Sequence, residues 1–474
     1  MQDNLKSYSQ YKASDIPWLG LIPSHWGTHK IRHVVELLVS NVDKIFSEKE
    51  VPVKLCNYTD VYKNERITEK LKFMKASASK EEIIKFKIRV GDVIITKDSE
   101  SWNDIGIPSL VVYEEDNLLC GYHLAILHPK KILNGNFLLR LLQDKNLSYQ
   151  FHILANGVTR YGLSHNSIKD IRIIVPPIPE QHQIARYLDW KTSQISKFIK
   201  AKKRLIELLK EQKQVIINDA VTGKIDVRTG KPYPKYKNSV VEWLGVVPEE
   251  WEVRKVKNIS KNIIGGSTPS SSNETYWDGE IIWITPSDIS KNFQLNDSNR
   301  KITLKGLKSC STQLVPKGSI IITCRAPVGN IGIANVELCT NQGCKSIIFA
   351  DSLIINTYLA EILKLNQQNF NNLSDGTTFK ELSIQKLKDF KIPVPPIKLQ
   401  KDIMDWNKKI ELEFNSTIAE TENGISLLNE YRTRLIADVV TGKVDVRDIA
   451  VPVNTNDNAI DASVEEECVE ETDE

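Results

Sequence analysis

Three imidazoles, His25, His29 and His33, fall at steps of four residues. On a helix that spacing lines one face and could hold a metal ion. Pro23 and Gly27 interrupt a helix at its start, however, and the second half of the chain has Glu250, Arg254 and Asn258 at the matching places. A metal needed by both halves should find ligands in both, so no metal site is expected. Asp98 with Glu100 and Asp278 with Glu280 are paired carboxylates, but neither pair has a lysine at nuclease spacing on a following strand. The phosphate-binding pattern G-x-x-x-x-G-K-S/T is missing, as are a strand-linked G-x-G-x-x-G, G-x-S-x-G and H-E-x-x-H. Val-Pro-Pro-Ile, at 175–178 and 394–397, is not the N-P-P-Y tetrad of amino-methyltransferases. It has no side-chain acceptor at its first position and no stacking aromatic at its last. These residue types favour a binding or organising protein, with no catalytic residue and no cofactor of its own.

The bulk numbers set the frame. A chain of 474 residues is too long for one ordinary core and implies two or more domains. Its 41% hydrophobic and 26% charged content is that of a globular protein. No apolar run approaches the roughly 18 residues of a membrane span, and MQDNLKSYSQ lacks the apolar core of a secretory signal. A cytoplasmic protein without membrane contact is expected. Seven scattered cysteines with no C-x-x-C read as free thiols. The net charge of +3 hides an asymmetry, because residues 454–474 hold nine Asp/Glu and no Lys/Arg. The remainder has 63 basic against 51 acidic residues, a balance that permits nucleic-acid binding. The acidic tail has few large apolar groups and is expected to be disordered.

The elements that must position any site come in two copies. WLGLIPSHW at 18–26 returns as WLGVVPEEW at 243–251, and the two use four of the nine tryptophans. VPPIPEQ at 175–181 returns as VPPIKLQ at 394–400, and VTGKIDVR at 221–228 as VTGKVDVR at 440–447. Gly157 and Thr159 have counterparts in Gly376 and Thr378. A period near 220 is too long for a solenoid, so these are two duplicated domain units. The middles, 27–175 and 252–394, share little beyond glycines and short apolar runs. The tryptophan phrases are therefore read as sockets: Trp18, Trp26, Trp243 and Trp251 bury aromatic area where the chain enters each middle, and Pro23 and Pro248 fix the turn.

No proline occurs between Pro179 and Pro232 or between Pro396 and Pro452. Ile184, Leu188, Ile195, Ile199, Ile206, Leu209 and Ile216 step at helical spacing, as do Leu399, Ile403, Trp406, Ile410, Phe414, Ile418, Ile425, Leu428, Leu435 and Val439. Each stripe predicts a helix of about 40 residues, ~60 Å long, stopped at Gly223 or Gly442. Such a stripe buries itself either on its own domain or on the other helix. The economical solution is an antiparallel coiled coil of the two. The middles carry short β-rich runs at 93–96, 109–113, 281–284 and 320–323, with helical patches around 137–151 and 355–370. The expected fold class is α+β: two domains with twisted sheets, separated by two long helices, in a pseudo-twofold internal repeat.

This doubled frame resembles the specificity (S) subunit of type I restriction–modification systems, over about residues 13–447. The resemblance implies target recognition domains at 1–179 and 232–396, a central spacer helix and linker at 180–231, a C-terminal spacer helix at 397–447 and the acidic tail at 448–474. Each recognition domain would read one half of a bipartite double-stranded DNA target, and the helices would set the spacing. It further implies a non-catalytic chain that docks two methyltransferase (M) subunits, which carry S-adenosylmethionine and methylate adenine. Restriction (R) subunits using ATP and Mg would join them in phage defence. Different middles predict an asymmetric target. An adapter built on a structural coiled coil, without sequence-specific DNA contact, accounts for the helices but not for divergent middles in preserved frames.

Under that resemblance the contact candidates are polar, basic or aromatic residues in strand-linked loops. In the first copy they are Lys97, Ser99, Trp102, Asn103, Thr159, Arg160 and Tyr161. In the second they are Ser267, Thr268, Arg325, Thr377, Thr378 and Lys380. Arginine suits the guanine edge, and Lys or Thr suits phosphate. Lys197, Lys200, Lys202, Lys203 and Arg204 on the first helix read as a phosphate contact, a solvated face or a surface for an acidic partner.

Overall fold

Val93–Thr96 is buried at all four positions because both faces of its sheet are covered. Alternate side chains go to different cores. Val93 and Ile95 join one apolar cluster and Ile94 another, as the two-residue period of a strand requires. The same alternation recurs in Ile320–Thr323, where Ile320 and Ile322 face one core and Ile321 the other. These two strands are the centres of two five-stranded sheets of matching order.

The computed structural model describes residues 6–16, 19–349, 353–376 and 380–452. Trp18, Thr377, Thr378 and the acidic tail expected at 454–474 lie outside them. The chain divides into two compact units. One runs to Arg204 and resumes at Glu422, and the other spans Leu205–Thr421.

In the first unit the sheet order is Val35–Val39, Leu124–Pro129, Val93–Thr96, Pro108–Val111, Arg66–Ile67. Only the last pairing is parallel. A three-stranded sheet (Leu118–Cys120, Val51–Cys56, Met74–Ala78) lies in the same unit. Helix Gly135–Leu142 covers one face of the larger sheet with Phe137, Leu138 and Leu141. The second unit repeats the plan with Ser260–Gly265, Cys344–Phe349, Ile320–Thr323, Ile331–Ala334 and Gln294–Leu295. Thus two middles with little common sequence build one topology.

Each middle closes on itself. Gly27–Lys30 pairs with Arg172–Val175, placing Gly27 opposite Val175. Glu252–Lys255 pairs with Lys391–Val394, placing Glu252 opposite Val394. The ends of each variable segment are therefore hydrogen-bonded neighbours. The long helices follow at once, Ile178–Thr222 and Ile397–Val440. Every residue of the two apolar stripes is buried or half-buried. Within the first unit the helices run in opposite directions: Gln183 Nε2 donates to Val446 O, and Lys202 lies against Gly424. In the second unit Lys213 Nζ donates to Asn415 Oδ1 at 2.9 Å, and Ala220 and Val221 share a core with Leu399 and Ile403.

The socket reading of the tryptophan phrase holds for Trp26 and Trp251, both fully buried. Burying an indole removes roughly 200 Å² from water, about 5 kcal/mol. Each covers a helix end, but in the first unit it is the end of the distant helix. A Cβ on Gly442 would stand 2.3 Å from Pro23 Cδ and 3.1 Å from Trp26 Cη2. On Gly223 it would meet Pro248 and Trp251 in the same way. Glycine is required there twice over, by this approach and by φ of +76° and +79°. Trp243 stacks on Phe390 at 5.7 Å.

The three histidines do not share a helix, as the interruption at Pro23 and Gly27 implies. His29 is in strand Gly27–Lys30, and His33 is in a single turn, Ile31–Val34. His25 instead contacts Glu180 Oε2 at 2.8 Å. Among the described residues no helix is long and apolar enough to cross a membrane.

Candidate nucleic-acid interface

The strand Val93–Thr96 runs out into the loop 97–103, and strand pairing decides what it meets. Lys97 N donates to His123 O, and Leu163 N donates to Lys97 O, both at 2.9 Å. Asp98–Ser99 then pairs with Tyr161–Gly162, Tyr161 opposite Ser99. The loop 156–162 is pinched shut by reciprocal amide bonds between Asn156 and Gly162. Its tightness needs Gly157, where a Cβ would stand 1.9 Å from Arg160 O. Lys97, Ser99, Arg160 and Tyr161 are thereby brought together. Thr159 is exposed at the tip of the same loop. Trp102 lies at the far turn, edge-on to His152 at 6.2 Å. Asn103 lines a cleft of about 380 Å³ with Tyr62 and His152. Burial lowers the pKa of His152. The Tyr62 hydroxyl donates to Asp104 Oδ2 at 2.7 Å, which with burial pushes it up to about 12.

A third segment, 121–123, joins these loops and was not among the expected contacts. Tyr122 is 46% exposed and packs on His123 with ring centroids 3.9 Å apart. Lys97 Nζ lies 5.9 Å from the Tyr122 ring. His123 Nδ1 is 2.5 Å from Asp98 Oδ2, and Arg160 Nη2 donates to His123 Nε2 at 3.2 Å. Tyr58, stacked on Tyr62 at 5.5 Å, closes the group. Burial raises its hydroxyl pKa, while Ser99 and Arg160 pull it down. Nothing local in the sequence Cys120–Gly121–Tyr122–His123 marks it as a site, because its partners lie tens of residues away.

The second unit has the same floor plan and different furniture. Cys324 N donates to Gly343 O at 2.8 Å, the bond that Lys97 makes to His123 in the first unit. Leu382 N donates to Cys324 O, as Leu163 does to Lys97. The turn 340–343 joins the two loops. Ser267 N donates to Thr340 O at 3.0 Å, and the Thr268 hydroxyl donates to Gln342 Oε1. Arg325 is brought to this place but is already engaged. Its Nε and Nη2 both donate to Glu381 Oε2 at 3.1 Å, and Lys345 Nζ stands 3.5 Å from Glu381 Oε1. That side-on pair uses two of the five N–H donors of Arg325 and leaves the end-on Nη1 and Nη2 donors open. Lys380 is exposed and lines a separate groove with Gln214, Asn218 and Pro327.

Two indoles, Trp283 of the β-rich run 281–284 and Trp277 upstream of it, hold the serine-rich loop. Trp283 Nε1 donates to Ser267 O at 3.0 Å, and Trp277 Nε1 donates to Ser270 O at 3.1 Å. The exposed Arg300 guanidinium lies 3.7 Å over the Trp277 ring. The two rings meet edge-on at 5.1 Å across an irregularity of their strand between Trp277 and Ile281, so spacing alone did not foretell the contact.

Comparison with known proteins agrees with this duplicated plan. The model of the type I restriction modification DNA specificity domain matches residues 23–214 and again 248–425. The chain is 39% identical over 165 residues to the MjaIX type I restriction enzyme specificity subunit of Methanocaldococcus jannaschii. That stretch is 34% of this chain and 38% of the relative. It is 25% identical over 433 residues to the putative MjaX specificity subunit of the same organism, covering 90% of this chain and 96% of that one. Among solved structures, the HsdS subunit from Thermoanaerobacter tengcongensis aligns over 89% of this chain and 98% of its own, with TM-score 0.55 and 16% identity. A chain from work on assembly and conformational transition of the type I R-M system aligns over 89% and 99%, with TM-score 0.59 and 16% identity. At that identity these two likenesses bear on the fold.

Proposed function

Because the chain belongs to the type I restriction modification DNA specificity family, we propose that it is the sequence-reading, non-catalytic subunit of a restriction–modification complex. Each unit carries one recognition domain, and each domain reads one half of an asymmetric bipartite target in double-stranded DNA. The observation that carries this reading is one backbone plan bearing unlike side chains at the same loop positions. Where the first unit has Asp98, His123 and Gly162, the second has Arg325, Gly343 and Glu381. A shared structural role would keep these residues alike. Two readers of different sequences require them to differ. Partner methyltransferase subunits supply S-adenosylmethionine and adenine methylation, and restriction subunits supply ATP- and Mg-dependent cleavage. The long helices serve as spacer and docking surface, and the complex works in the cytoplasm.

The test follows from the closed ends of each middle. Residues 27–175 begin and end on one hydrogen-bonded pair, so they can be exchanged as a module. Replacing them by the same region of a relative, with the methyltransferase present, should change one half of the methylated sequence and leave the other intact. A change in both halves, or in neither, would overturn the modular reading.

A further inference from the structure

We propose that Asp98 and His123 are a positioning pair for Arg160, and that Arg160 reads a guanine edge in the first half-site. The inference deepens the recognition reading above and rests on it. Its geometry is a relay of three side chains from three separate loops. An arginine can only donate, so the 3.2 Å contact from Arg160 Nη2 makes His123 Nε2 the acceptor. The ring proton is then on Nδ1 and is donated to Asp98 Oδ2 at 2.5 Å. Asp98 is itself held twice, by backbone pairing with Gly162 and by Lys97 Nζ at 3.0 Å. The carboxylate thus fixes the imidazole, and the imidazole fixes one edge of the guanidinium.

Three further observations separate this group from an ordinary surface cluster. First, His123 has φ +72°, the left-handed region that residues with a Cβ avoid. Strain of this kind persists where the surroundings hold it, and it gathers at functional sites. Second, the position with the same backbone bond in the second unit is Gly343, so the frame itself does not need an imidazole. Third, among the described residues no carboxylate pairs with Arg160, and its side chain is exposed. Arg325, at the corresponding interface, instead has its charge paired by the Glu381 carboxylate. A guanidinium anchored at one nitrogen by a neutral acceptor keeps its full charge and most of its donor fork. That suits bidentate recognition of guanine O6 and N7.

The experiment maps methylated adenines written by the full chain together with the methyltransferase of its own system. His123→Gly removes the imidazole and relieves the backbone, so folding is not the confounding variable and Tm should be unchanged or higher. His123→Gly and Arg160→Gln should each relax the same single guanine of the first half-site, by roughly tenfold or more. The second half-site should stay intact, and the double variant should be no worse than Arg160→Gln. A motif left unchanged by His123→Gly overturns the positioning pair. Uniform weakening over all sequences, with a shallower salt dependence, makes Arg160 a phosphate contact and overturns the guanine assignment. A wild-type complex that writes no bipartite motif defeats the recognition reading itself, which distinguishes the two failures.

Discussion

Val240 stands at φ +55°, where its counterpart in the first copy, Asp15, stands at +57°. Both occupy the turn ahead of the tryptophan phrase, but only aspartate tolerates that conformation, through its short polar side chain. A β-branched residue there is a local cost with no visible partner, since Val240 is 79% exposed. Val240→Asp should therefore raise stability by about 1 kcal/mol. A urea titration should show a higher midpoint with unchanged slope; a lower midpoint would refute the strain. A second difference between the copies is buried. Glu180 Oε1 accepts from the Tyr8 hydroxyl at 2.6 Å and from Trp26 Nε1 at 3.1 Å. Burial, then that bond, pushes the Tyr8 pKa well up. The second copy has Leu399 in place of Glu180, and there the buried Tyr233 hydroxyl and Trp251 Nε1 have no hydrogen-bond partner among the described residues.

At the scale of elements, the question is how each recognition domain is fastened to its helix. Gln181 and Gln400, both fully buried, make the same latch. Gln181 Oε1 accepts from Asn134 N, and its Nε2 donates to Ile132 O and Pro176 O. Gln400 does the same with Ile355 N, Leu353 O and Pro395 O. The first unit adds an ionic clamp. Arg140, 2% exposed, reaches Asp189 of the long helix at 2.7 Å and Glu65 at 2.9 Å. Burial raises the Asp189 carboxyl, but Arg140 and Arg66 outweigh it and hold its pKa below the usual range. A carboxyl depressed in the folded state contributes stability above the unfolded value, ~3.9, and loses it as pH falls through the folded one. Arg140→Met removes the buried guanidinium from half-buried Asp189, which keeps Arg66 at 3.0 Å, and from exposed Glu65, and should cost about 2–3 kcal/mol at pH 7. The deficit should shrink on acidification towards pH 3, as seen in paired denaturation curves; a pH-independent deficit would rule out the clamp.

At the scale of the whole molecule, the two ends of the described chain meet where the second unit has a continuous turn. Asp445 N donates to Lys6 O at 2.7 Å, joining the two ends of the described chain in one unit. The equivalent bond in the second unit runs from Asp226 N to Lys231 O, and there the turn 227–230 connects its two sides. The repeat offsets map Asp445 onto Asp226 and Lys6 onto Lys231. Joining 447 to 6 through a copy of the Thr229–Gly230 turn, and opening the chain between those two residues, should preserve both cores. The permuted chain should fold with a similar Tm and, with its methyltransferase, write an unchanged motif. Loss of the folded state would show that the continuous turn at 227–230 is indispensable.

By itself the sequence determined the duplication, the two long helices and their stops, the α+β class of the middles and the tryptophan sockets. These are carried by repeated words, by the 3.6-residue period of an apolar stripe and by the two-residue period of a buried strand, all readable along one dimension. It also placed Lys97, Ser99, Arg160 and Tyr161 in loops that do converge. Only the tertiary structure decided what those loops meet. Asp98, His123 and Arg160 are 25 and 37 positions apart, and strand order alone makes them neighbours. The same holds for Arg325, whose capture by Glu381 lies 56 positions downstream. A helix stripe is legible because its partners are set by local geometry. A reading loop is not, because its contacts are set by the register of strands distant in the chain.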